Sequence, residues 1–229
     1  MACFLLVALG IAPLAADSST NAPGVPLGSN ELNAVRLVAS NSLTQFRAFI
    51  KPSNYQLMGF ESTNEVSITT NGDPLLVFTV RLSQLTNYQA GNDFNSLLAS
   101  LPKLRAIVPI MVGTNVRSST TMRLAQGAAG ANWVGGDWGH ANVIRNLIQT
   151  YRAIPTTEVN PGTVPFAVEI PIPRIWLVGY YDTQQKLVLR STIDLRLGPI
   201  TIYRNQAVTQ AAMQQMSTEA RRYDPSLPN

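Results

Sequence analysis

The sequence predicts an α+β fold: a mainly antiparallel sheet, built from hairpins and a meander, packed by about three amphipathic helices. Three observations lead there. Apolar residues recur at helical spacing in three separated stretches, near residues 32–50, 143–151 and 208–216. Between these stretches lie short apolar or alternating runs rich in β-branched residues. The links between the runs are of hairpin length, which favours antiparallel pairing over a doubly wound parallel sheet.

The first helix is carried by Leu32, Val35, Ala39, Leu43, Phe46 and Ile50, one apolar stripe. Ser29 or Asn30 can cap it, Glu31 suits its first turn, and Pro52 stops it. Residues 66–70 alternate, Asn71-Gly72 is a tight-turn dipeptide, and residues 75–82 are apolar, which reads as strand, turn, strand. Residues 61–66 equally fit a short helix. Phe94, Leu97, Leu98 and Leu101 give a helical turn ahead of Pro102. Residues 106–112, 116–125 and 131–134, separated by glycine-containing turns, fit a three-stranded meander.

The run Gly135-Gly-Asp-Trp-Gly-His140 then leads into a helix with Val143, Ile144, Leu147, Ile148 and Tyr151 on its buried face. Its glycines are read as permitting a bend or bulge. Residues 164–172 and 174–181 are extended, and Pro171 and Pro173 between them place an edge or bend there. Residues 187–196 show the cleanest alternation in the chain, residues 200–203 add a short strand, and a small-residue helix runs from about 206 to 222.

The organisation expected is a signal-peptide-like apolar segment at 1–16, a flexible linker at 17–29, one α+β domain at 30–224 and a frayed tail at 225–229. Any subdivision falls near 155–163. MACFLLVALGIAPLAA contains no charged residue and ends in small residues, with cleavage expected after Ala16. It lacks a positive start, and it is shorter than the roughly 20 residues that cross a bilayer. Membrane contact is therefore expected at most through residues 1–16. Residues 17–29 are dominated by Pro, Gly, Ser and Asn, with nothing in them expected to pack.

Composition narrows the function. The chain has 229 residues with one Cys and one His, which leaves no disulfide framework and no Cys/His zinc cluster. No metal and no cofactor are expected. Charged residues make up only 13%, against about 25% in ordinary soluble domains, so the surface is polar but weakly charged. The net charge of +4 is scattered, and no nucleic-acid partner is expected. A Ser-His-Asp site would have to use His140, with Asp137 three residues before it, and no nucleophile elbow accompanies them. Trp133, Trp138 and Trp176 are candidate binding residues for a sugar or a partner. Glu169 interrupts an apolar strand, and alternation alone explains it. The expectation is an exported, non-catalytic binding or structural protein of the periplasm or cell surface, an accessory subunit of a bacterial cell-envelope assembly with protein partners. The alternative is a secreted hydrolase with its site around Asp137 and His140.

Overall fold

The strands LLVFT and FAVEI are nearly continuous apolar runs, so both of their faces must be covered, which places them inside a sheet rather than at its edge. A computed structural model of the chain describes residues 23–98, 105–127, 130–172 and 174–223. The apolar segment 1–16 and the tail 225–229 lie outside the described residues.

Helices α1 (Ser29–Phe49), α2 (Asn64–Ser67), α3 (Leu82–Thr86), α4 (Asn95–Leu98), α5 (Ala141–Arg152) and α6 (Gln210–Tyr223) surround the sheet. Its strands are β1 (Thr70–Asn71), β2 (Leu75–Thr79), β3 (Arg105–Val112), β4 (Asn115–Gly127), β5 (Gly130–Trp138), β6 (Phe166–Ile170), β7 (Ile175–Tyr181) and β8 (Leu187–Ser191). They pair in the order β5-β4-β3-β2-β6-β7-β8, with β1 also on β3. A separate hairpin joins β9 (Leu195–Leu197) to β10 (Ile200–Ile202). The α+β reading and the mainly antiparallel sheet stand, and the three long helices are those the periodicity marks. The β2–β6 pair at the centre is parallel. It joins the meander β3-β4-β5 to the hairpin set β6-β7-β8.

Alternation assigns the two faces. Leu76, Phe78, Val108, Val168, Leu177 and Leu189 point one way, into the main core with Val35 and Ala39 of α1 and Met213 and Met216 of α6. Val77, Ile107, Ala167 and Val178 point the other way, against Ile144 and Leu147 of α5. A third cluster, around Phe46, Phe60 and Ile110, closes the end of α1. Polar networks tie the loops to this frame. Tyr180 Oη donates to Glu158 Oε2 (3.0 Å) and accepts from Arg190 Nε (3.1 Å), while Arg190 also pairs with Glu158 at 2.6 Å. Burial pushes the Tyr180 phenol up. Arg117 pairs with Glu61 and Glu65. The Glu65 carboxyl is held below its usual range, first by the Glu61 backbone N–H and then by Arg117.

Several local expectations change. Residues 64–67 form α2, the helical option, so only Thr70–Asn71 remains extended, and it pairs with β3 rather than with β2. Residues 23–28 do not behave as an unpacked linker: Gly24 is buried, its carbonyl accepts from Val164 N at 2.8 Å, and Leu27 packs on the main core. Pro171 lies in the turn after β6, while β6 itself is internal, between β2 and β7. The alternation of residues 187–196 breaks after Ser191, and Ile193 is exposed.

Candidate functional site

The three tryptophans do not share a surface. Trp133 and Trp138 both lie on the α1 side. Their separation of five would put them on opposite faces of a regular strand. A β-bulge prevents this: Thr120 pairs with Trp138 while Met122 pairs with Gly135, so β5 carries one extra residue around Gly136-Asp137. A Cβ at Gly136 would stand 3.0 Å from the Thr121 carbonyl oxygen, a tight approach that glycine relieves. Trp133 is buried in the main core. Trp138 packs on Phe46 and Phe49, and its Nε1 donates to Ser42 Oγ at 3.0 Å. Trp176 points the opposite way from β7 and is half-buried.

Asp137 is an exposed residue of the bulge. His140 is exposed at the start of α5, with φ 57°, and its carbonyl accepts from Ile144 N at 3.0 Å. It lies at a pocket of about 390 Å³ with Gly59, Asn142 and Arg145. Among the described residues no hydrogen bond or ion pair joins His140 to Asp137 or to any hydroxyl. The base–orienter contact of a hydrolytic triad is therefore not formed. No group of three or more His, Cys, Asp or Glu is placed to hold a metal among the described residues.

Trp176 instead belongs to a row that α5 leaves open. The side chains of Val134, Arg123, Arg105, Thr79, Glu169 and Trp176, drawn from β5, β4, β3, β2, β6 and β7, all point to the α5 side, and none of them is buried. Arg105 donates to Glu169 Oε2 and to Thr79 Oγ1, and Thr79 Oγ1 donates to the same Glu169 oxygen at 3.0 Å. Glu169 faces away from Val168 and Ile170, as alternation requires, and lies beside Trp176 across the β6–β7 ladder. Arg123 stands directly opposite Arg105 and is exposed. Two like charges in register repel, and the Glu169 carboxylate offsets one of them. The outcome is a half-exposed indole, a hydrogen-bonded carboxylate–guanidinium pair and one exposed cation on a rigid strand platform.

Sequence reasoning named Trp176 and noted Glu169, but it missed Arg105, Thr79 and Arg123. They come from separate strands, and no local motif links them. The available signal was the placing of charged residues at positions of one parity in otherwise apolar strands.

No protein-family model matches this chain, and neither the curated proteins nor the solved structures give a match.

Proposed function

We propose that this is an exported, non-catalytic binding or structural protein, an accessory subunit of a bacterial cell-envelope assembly, and that it meets a protein partner with the open row of its sheet. The single observation that carries the reading is that row itself. Covering both faces is the rule around a parallel strand pair, yet one end of the α5-side face is left half-exposed. It combines an aromatic side chain and an Arg, the residue types that dominate binding energy in protein interfaces. The separation of His140 from any orienting acid favours contact over bond-making. The weakly charged, polar surface and the apolar, uncharged residues 1–16 support export. No helix among the described residues is long and apolar enough to cross a membrane.

Site-specific photocrosslinking in the source cells tests this. A photoreactive residue at Arg123 is expected to give a discrete adduct that weakens at least fivefold when Trp176→Ala is added. The same residue at Arg222, on exposed α6 surface, is expected to give none. Equal labelling from both positions, or an adduct indifferent to Trp176, would overturn the reading.

A further inference from the structure

We propose that the partner meets the open row with an extended acidic segment, its carboxylates on the arginines and an apolar side chain against Trp176. This rests on the reading of the row as an interface and adds the chemistry of what fills it. Shape comes first. Two positions along the same strands, Ile107, Val77, Ala167 and Val178 are buried with Ile144 and Leu147 of α5. On β2, β3, β6 and β7 the row is therefore a strip between α5 and the end of the sheet, about 7 Å wide. From Arg123 on β4 to Trp176 on β7 it crosses four strand spacings, about 19 Å. An extended chain covers that distance in about six residues, and it suits the width better than a helix about 10 Å across.

Charge then selects the occupant. Glu169 is matched by Arg105. Arg123 is exposed, and two more exposed guanidiniums stand at the same end of the sheet: Arg81, two residues past the end of β2, and Arg174, one residue before β7. None of these three pairs with a carboxylate among the described residues. They are far apart in the sequence, and the strand order gathers them. Two or three carboxylates spaced along a protein chain match them. A nucleic-acid duplex is a poorer match: it carries one charge per about 1.7 Å, about eleven over this length, and Glu169 repels it. The half-buried indole of Trp176 adds an apolar anchor at the other end of the strip.

A photoreactive residue at Val134, in the row on edge strand β5, leaves all three arginines in place for the test in the source cells. Its adduct is expected to weaken at least tenfold with Arg123→Glu, at least threefold with Arg81→Glu and Arg174→Glu together, and less than threefold with Arg123→Lys. Mass spectrometry of the crosslinked peptide is expected to find at least two Asp or Glu within six residues of the attachment point. Arg123→Glu sets a carboxylate opposite Arg105, so the denaturant midpoint of the purified variant is expected not to fall, which separates lost binding from lost folding. An adduct that survives Arg123→Glu, or a crosslinked segment without acids, overturns the acidic segment and leaves the row standing as an interface. A nuclease-sensitive adduct, or none from Val134, overturns both.

Discussion

At the scale of single residues, strain and charge are placed where the fold leaves no other choice. His140 holds φ 57°, a left-handed conformation that costs a non-glycine residue energy, and its side chain makes no hydrogen bond to any described residue in return. His140→Gly is expected to stabilise the protein by about 0.5–1 kcal/mol, read as a higher denaturant midpoint at unchanged slope. A loss of stability would mean that the imidazole makes a contact worth more than the strain. Glu169 holds two functions together, as acceptor for Thr79 and as counter-charge to Arg105 opposite Arg123. Glu169→Gln is expected to cost about 1–3 kcal/mol, and Arg123→Ala in that background to recover part of it, because the uncompensated repulsion is then relieved. Strict additivity in the double-mutant cycle would remove the electrostatic account of the row. Trp176 and Glu169 were visible in the sequence as an aromatic and a lone acid in strands. That they stand side by side was not, because adjacency across a ladder depends on register.

At the scale of elements, the bulge in β5 decides which way an aromatic side chain points. Without the extra residue, Trp138 would turn from Phe46 and Ser42 to the opposite face, since a one-residue shift inverts the pleat. Deleting Asp137 is therefore expected to red-shift tryptophan emission and to destabilise the protein by about 2 kcal/mol, through loss of the packing of half-buried Trp138 on Phe46. Unchanged emission would show that the strand absorbs the deletion elsewhere. The glycines at 135 and 136 announced an irregularity in the sequence, and the bulge is its form. The long helices were legible for a plain reason: α1 and α5 each bury one stripe, and a stripe is written in the local spacing of apolar residues. The short helix α2 and the two-residue β1 were ambiguous because runs of a few residues carry no periodicity. Their state is set by Arg117 holding Glu61 and Glu65, and by β3 lying alongside Thr70.

At the scale of the whole molecule, the parallel pair β2–β6 is the seam between two antiparallel halves. Both strands carry buried residues on both faces, whereas β5 and β8 are edges of the sheet. Native-state hydrogen exchange is expected to find the slowest amides in β2 and β6 and the first openings in β5. Fast exchange at the seam would indicate that the halves open separately. From its own order of residues the chain determined the α+β class, the three long helices and the meander, because these follow from local periodicity and turn chemistry. Tertiary structure alone decided that β2 meets β6 across ninety positions, that Trp133 and Trp138 part company with Trp176, and that an open row lies at one end of β3. Those features arise from pairings between distant segments, and the free energy that selects such pairings is shared over the whole core.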